Sequence, residues 1–185
     1  MYNMNTKSKK LNANNIINAR KKLDNELKRK WSIMKSENTL RKSAVKTCRL
    51  HNLATIHNQI LQKIEKRIIV KGILNNINNG ILTFNTEEFK KSHYYTIFRL
   101  QEPREQITKL NEIREKALKP QIKAQKGKKR LGFDEVFSYE KLTTMINHLT
   151  TDVNTLLTKI ENYNNTTEIE ITDDSINDIL AALML

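Results

Sequence analysis

Two clusters of basic residues interrupt the first helical pattern of the chain, which runs from about Leu11 to Lys35. The clusters are Arg20-Lys21-Lys22 and Lys28-Arg29-Lys30. Basic side chains that recur every three to four residues along a helix can follow a phosphate backbone, and an aromatic residue among them can stack on an exposed base. Trp31 falls on the apolar stripe of this helix, which favours core packing for it. The six basic residues are predicted contacts for the phosphates of DNA or RNA.

A second basic tract lies between Gln121 and Gly132, a stretch without a single acid. Its members are Lys123, Lys126, Lys128, Lys129 and Arg130. Short tracts of this kind are typical of nucleic-acid clamps and also of solvated linkers. We predict an exposed basic linker at 119–132 whose cations contact phosphate.

Residue patterns typical of catalytic or metal sites are incomplete. Cys48, His51 and His57 have a spacing that zinc ligands can adopt, but no fourth ligand follows at a suitable distance. The chain has no Gly-rich phosphate loop, no nucleophile elbow and no HExxH motif. We therefore expect no enzymatic activity, no metal and no cofactor.

The distribution of charge is the strongest global signal in this sequence. The net charge is +13; residues 1–160 contain all 33 basic residues and 14 acids, whereas six acids and no Lys or Arg follow from Glu161 onward. A body this basic attracts an anionic polymer in a salt-dependent manner. The alternative is that an AT-rich genome simply encodes many lysines.

Cysteine content and hydropathy bear on the compartment. The single Cys48 cannot form an internal disulfide, and no apolar run is long enough to span a membrane. These features predict an intracellular protein of the cytoplasm or nucleus without a membrane partner. The first 23 residues contain no acid, which leaves mitochondrial import open.

A heptad-like apolar stripe begins after Ser138, a candidate N-cap, and continues to Tyr163. Steps of three or four residues place its members on one face of a long helix that needs a partner helix. We predict that this helix, 138–163, binds a protein partner or self-associates through Leu142, Leu149, Val153, Leu156 and Ile160.

The acidic tail contains a second amphipathic pattern. Ser175 and Asp178 resemble a capping box, and Ile176, Ile179, Leu180 and Leu183 follow at helical spacing. A helix this short is marginal alone and needs a groove. Tail residues 173–185 are thus predicted to dock on another protein or on the protein's own body, or to compete with nucleic acid for the basic face.

Scarce Gly and Pro favour long helices and an all-α bundle. The predicted organisation is a disordered basic arm at 1–10, a helical body at 11–118, the linker at 119–132, a long helix at 133–163 and the tail at 164–185. Within the body, a second helix runs from Leu40 to about Ile69, or two shorter helices turn near His51-Asn52.

Three further boundaries follow from turn residues and caps. A small β-hairpin at 67–84 turns at Asn78-Asn79-Gly80, or else the second helix continues to about Leu74 and ends at Gly80. Thr86 opens a third helix. Pro103 begins a fourth helix, which Pro120 ends.

Together these patterns predict a non-enzymatic nucleic-acid-binding accessory protein that contacts phosphates through Lys and Arg. The alternative is a structural assembly subunit that pairs through a coiled-coil-like helix at 138–163.

Overall fold

The computed structural model describes residues 10–125 and 132–168, with the backbone alone for 118–125. Within them the chain forms helices and one two-stranded sheet, which confirms the all-α prediction. In chain order the elements are α1 (Ala13–Glu37), β1 (Thr39–Arg41), a 3₁₀ turn (Lys42–Ala44), α2 (Val45–Cys48), α3 (Leu53–Asn78), α4 (Thr86–Lys91), α5 (His93–Gln125), β2 (Phe133–Glu135) and α6 (Tyr139–Thr166).

Asparagine and serine side chains set most of the helix starts. Asn12 and Asn15 form a reciprocal capping box at α1, and Asn52 and Asn85 cap α3 and α4. Ser138 caps α6, where its Oγ accepts a hydrogen bond from the Lys141 amide at 3.2 Å, as the sequence predicted. Asn52 places a break near His51-Asn52, as the two-helix alternative expected. The predicted helical start at Leu40 is wrong, because Leu40 lies in β1 and the helix before the break is the single turn α2.

The hairpin considered for 67–84 is wrong, because α3 continues to Asn78. It ends in a Schellman motif in which Gly80 adopts φ +72° and the Ile81 amide donates to the Asn76 carbonyl at 2.8 Å. Gly80 thus ends the helix, as the alternative expected. Ile68 lies in the core and Ile69 packs against it, so tertiary burial outweighs their strand propensity.

Both proline boundaries in the fourth helical region are wrong. The single helix α5 passes through Pro103 and Pro120. An internal proline costs about 3 kcal/mol because it removes an amide donor and crowds the preceding turn. Since α5 packs against α1, α3 and α6, its burial supplies enough favourable energy to keep the helix continuous.

Two antiparallel helix pairs form the bundle. Lys30 contacts Gln59 and Asp24 contacts Arg67, so α1 and α3 run in opposite directions. Arg114 contacts Thr143, and His93 stacks on Tyr163 with ring centroids 3.8 Å apart, so α5 and α6 do the same. A continuous core between these pairs includes Leu27, Trp31, Ile60, Leu110 and Leu142.

The stripe on α6 finds its partner helix within the same chain. α6 packs mainly along α5, Leu142 is 0 % exposed, and Leu156 is also buried. Leu142 is therefore not available to a second chain, contrary to the prediction. Leu149, Val153 and Ile160 are half-buried, and pairing with another chain through them stays a prediction.

β1 and β2 form the sheet between segments far apart in sequence. They pair antiparallel, with Thr39 opposite Glu135 and Arg41 opposite Phe133. Arg49 fixes this junction from the side: its guanidinium donates to the Asp134 carboxylate and carbonyl and to the Asn38 carbonyl. No local pattern in the sequence predicts this pairing.

Candidate nucleic-acid interface

A trough of about 620 Å³ lies between α1, α3 and α5. We call it the α1–α3–α5 trough. Helical spacing explains its lining, because residues three or four apart lie on the same helix face. Its lining contains more cations than acids: Arg20, Asp24, Lys28, Trp31, Ser32 and Lys35 from α1, Arg67 and Lys71 from α3, and Glu105, Lys109 and Glu112 from α5.

Arg67 is the centre of an ion-pair network on the floor of this trough. Its guanidinium binds the carboxylates of Asp24 at 3.2 Å, Glu105 at 2.6 Å and Glu102. Burial by itself would lower the pKa of Arg67, but hydrogen bonds and charge from Glu102 and Glu105 raise it above its ordinary value. Arg67 therefore stays charged and joins three helices, and its charge is already compensated.

Lys35 and Lys109 are also compensated. Both donate to Glu112, at 2.8 Å and 3.2 Å, and these hydrogen bonds lower the pKa of the Glu112 carboxyl. Arg20 lies 3.8 Å from Asp24 in an exposed pair, which binds weakly. Lys28 is exposed and makes no ion pair with any residue that the structure describes. The free cationic capacity of the trough thus comes from Lys28 and, in part, Arg20.

Three further predicted cations of α1, Lys21, Lys22 and Arg29, lie outside the trough. Lys21 and Lys28 are seven residues apart, as are Lys22 and Arg29, so they form two neighbouring rows along the helix. All four are exposed, and within 10–125 and 132–168 none of them makes an ion pair. Lys30 differs, because it donates to Gln59 of α3. These two rows provide four charges that can reach a phosphate backbone.

A further basic cluster was missed by the sequence analysis. Arg41, Lys42 and Lys46 are exposed at the end of the bundle where α1 leads into β1; we call them the β1–α2 corner. No ion pair involves them within the described part of the chain. The signal was present in the sequence, since no Asp or Glu occurs from Asn38 to Ile64.

Gly132, the last residue of the predicted basic linker, is hydrogen-bonded to this corner. The Lys42 amide donates to the Gly132 carbonyl at 2.7 Å, and a Cβ at Gly132 would lie 2.9 Å from Cδ of Lys42. Arg130 precedes Gly132 by two residues in the sequence. Lys126, Lys128, Lys129 and Arg130 lie outside the described residues, and Lys123 belongs to α5 without a described side chain.

The net charge of the chain changes sign at β2. Residues 1–132 contain 31 basic and 10 acidic side chains, whereas residues 133–185 contain 2 basic and 10 acidic ones. The change therefore occurs at β2, earlier than Glu161. Among the described residues, exposed cations are most numerous on α1 and at the β1–α2 corner, whereas α3 has only Lys66.

The candidate zinc residues are engaged elsewhere. Cys48 is exposed, His51 Nδ1 lies 2.6 Å from Glu37 Oε1, and the His57 ring packs against Phe137. No group of three His, Cys, Asp or Glu side chains that could hold a metal ion occurs among the residues described here. Across the same residues, no helix has both the length and the apolar character to cross a membrane.

His57 predicts a pH dependence of stability. Burial, and then the charge of Lys141, lower the pKa of His57 below its ordinary value of 6.5. As the pH falls from about 7 to about 5, His57 binds a proton in the unfolded chain more readily than in the folded chain. We expect the free energy of unfolding to decrease over this range and His57→Gln to reduce that decrease.

Urea unfolding at several pH values measures this effect. His148 is exposed on α6, so His148→Gln serves as the matched control and should leave the pH dependence unchanged. Identical pH profiles for His57→Gln and the unmodified protein would contradict the assignment.

No protein-family model matches this chain, and neither a curated protein nor a solved structure shows significant similarity to it. A functional proposal therefore depends on the side chains described above.

Proposed function

We propose that this protein binds nucleic acid without catalysing a reaction, through phosphate contacts of the exposed cations on α1 and the β1–α2 corner. Nucleic-acid affinity depends strongly on Lys and Arg that neutralise phosphates and release counterions. The observation that carries the proposal is a group of exposed cations on α1 and the β1–α2 corner that make no ion pair with any described residue: Lys21, Lys22, Lys28, Arg29, Arg41, Lys42 and Lys46.

Compensation by the protein's own carboxylates divides the cations into two groups. Lys63, Arg67, Lys71 and Lys109 are paired and stabilise the bundle. The cations of the proposed surface make no ion pair with a described residue, and this holds on α1 although acids lie on the same helix. An excess of 33 basic over 20 acidic side chains leaves some cations unpaired in any case, so the support comes from the grouping of the unpaired cations on α1 and the β1–α2 corner. The proposal therefore concerns the unpaired group and not the total charge.

Assembly through α6 is less well supported. The apolar stripe that suggested it packs on α5, and Leu142 is buried. A role for the tail in docking or autoinhibition stays a prediction, since Ile176, Ile179, Leu180 and Leu183 lie outside the described residues.

The test is a salt-titrated binding assay with labelled duplex DNA, single-stranded DNA and structured RNA. We expect log K to fall linearly with log salt concentration, with a slope of about −0.9 per neutralised phosphate on duplex DNA. The combined variant Lys21→Gln, Lys28→Gln, Arg41→Gln, Lys46→Gln should reduce the magnitude of that slope by about one for each phosphate that is no longer neutralised.

Two exposed lysines outside the proposed surface provide a control. Lys91 lies on α4 and Lys159 on α6, and neither makes an ion pair within the described chain. Lys91→Gln, Lys159→Gln should retain most of the affinity, whereas Lys21→Gln, Lys28→Gln, with the same change in net charge, should bind more weakly. Absence of binding to all three polymers at about 50 mM salt, where phosphate contacts are strong, would refute the proposal. Equal reductions of affinity in both double variants would refute the assigned surface.

A further inference from the structure

The α1–α3–α5 trough continues beyond its cationic part. A cavity of about 280 Å³ shares Arg20 and Lys71 with it. A third cavity of about 440 Å³, near the start of α5, shares Asn75 with the second. The three cavities thus adjoin one another through shared lining residues, and we call the row of cavities from Glu112 to Tyr94 the path.

Regular helix faces line this path. On α3 the residues Arg67, Lys71, Asn75 and Asn79 recur every four positions. The residues contributed by α5 lie three or four positions apart: Tyr94, Phe98, Gln101, Glu105, Lys109 and Glu112. At about 1.5 Å per residue, the span from Tyr94 to Glu112 is about 27 Å.

The chemistry of the path changes along its length. Its first part holds cations, including Lys28 and Arg20, whereas its far part holds asparagine amides and aromatic rings. Tyr94 is 51 % exposed at the far part, and its ring centroid is 6.4 Å from that of Phe98. An exposed tyrosine beside an open cavity is poorly explained by core packing.

The asparagine amides at this end differ in whether a described residue engages them. Asn76 donates to the Thr83 carbonyl, and Asn85 caps α4. Among the described residues, the side chains of Asn75 and Asn79 make no hydrogen bond. An asparagine amide offers both a donor and an acceptor, the pattern that pairs with a base edge.

We propose that this path binds a single strand of nucleic acid, an inference that rests on the proposed function. Phosphates lie along Arg20 and Lys28, a base stacks on Tyr94, and Asn75 and Asn79 contact a base edge. A single strand exposes its base faces and edges, whereas those of a duplex are stacked and paired. Because packed helices are about 8–10 Å apart, paired bases cannot reach the floor of the path.

The first test compares a short labelled single strand with a duplex of the same sequence. We expect tighter binding of the single strand by the unmodified protein. Tyr94→Leu should weaken single-strand binding by roughly 5- to 100-fold, the range seen when a stacking aromatic is removed. Tyr94→Phe keeps a stacking ring and should restore most of the affinity. Duplex affinity should not change in either variant.

The second test concerns the amides. Asn75→Ala, Asn79→Ala should weaken single-strand binding and leave duplex binding unchanged. Asn58 and Asn147 are exposed and line none of these cavities, so Asn58→Ala, Asn147→Ala is the matched control. Trp31 lines the same path and is the only tryptophan, so a change in its emission on strand binding gives an independent readout.

The outcomes separate this inference from the proposed function. Suppose that duplex and single strand bind with equal affinity and that Tyr94→Leu changes neither affinity. This result would overturn the single-strand path, but it would leave intact the proposed phosphate binding by the cations of α1 and the β1–α2 corner. Absence of binding to either polymer at low salt would overturn both.

Discussion

Replacement of Arg67 by methionine is expected to lower the free energy of unfolding by about 3 kcal/mol, because it leaves the buried Glu102 carboxylate without its arginine partner. The Arg67 side chain is 10 % exposed and that of Glu102 is 2 % exposed. Lys71, 2.8 Å from Glu102, compensates part of the destabilisation. Urea or guanidinium unfolding, followed by far-ultraviolet circular dichroism, measures this change.

The neighbouring residue provides the control. Lys66 precedes Arg67 on α3 but is exposed and forms no ion pair within the described chain, so Lys66→Met should change stability by less than about 0.5 kcal/mol. Arg67→Met combined with Glu102→Leu removes the buried charge together with its partner. The combined variant should be more stable than Arg67→Met alone. If the changes in the free energy of unfolding caused by Arg67→Met and Glu102→Leu simply add in the combined variant, loss of the buried ion pair does not explain the destabilisation by Arg67→Met.

This network also bears on the single-strand path. Arg67 holds Asp24 of α1 and Glu102 and Glu105 of α5 against α3. The same three helices line the trough, so the ion pairs fix its width. A paired arginine on the floor therefore shapes the path, and the unpaired cations at its rim are left to contact the ligand.

Local patterns in the sequence predicted most of the helical architecture. Apolar spacing and asparagine or serine caps were sufficient for α1, for the start of α3 and for α6, since these signals act within one or two turns. The prolines of α5 misled the analysis because their local cost is outweighed by packing against three other helices. The β1–β2 pairing had no local signal, because it joins segments nearly a hundred positions apart.

The candidate site divides in the same way. Exposure of Lys21, Lys22, Lys28 and Arg29 follows from the apolar period of α1 alone. The path formed by the trough and its two neighbouring cavities could not be predicted, since Lys28, Lys71 and Tyr94 come from three helices whose relative placement is not encoded locally. The β1–α2 corner could be predicted in part. The acid-free run is visible in the sequence, but the position of the corner in the fold is not.

Replacement of Asn38 by leucine is expected to lower the free energy of unfolding by about 2–4 kcal/mol, because it leaves buried backbone groups unpaired. Asn38 is 0 % exposed. Its Nδ2 donates to the Phe137 carbonyl at 3.0 Å, and its Oδ1 accepts from the Phe137 amide at 2.8 Å. The Asn38 side chain thus extends the hydrogen bonding between the segments of β1 and β2 by one more residue pair. A leucine side chain can form neither of these two hydrogen bonds.

Chemical unfolding and amide hydrogen exchange test this role together. In the unmodified protein the Val136 amide donates to the backbone carbonyl of Asn38, and the Phe137 amide donates to Asn38 Oδ1. Exchange at both amides should therefore accelerate in Asn38→Leu. Asn58→Leu, at an exposed position of α3, should change neither quantity. A stability within about 0.5 kcal/mol of the unmodified protein would show that Asn38 does not hold the junction.

The same substitution links fold to function. Arg41 and Lys42 closely follow Asn38, and Lys42 is bonded to Gly132 just beyond the basic tract. Loosening of this junction should release the β1–α2 corner from the bundle while leaving Lys21 and Lys28 on an intact α1. We therefore expect Asn38→Leu to reduce duplex affinity only to the level of Arg41→Gln, Lys46→Gln. A complete absence of binding in a folded variant would mean that the corner, rather than α1, supplies the main phosphate contacts.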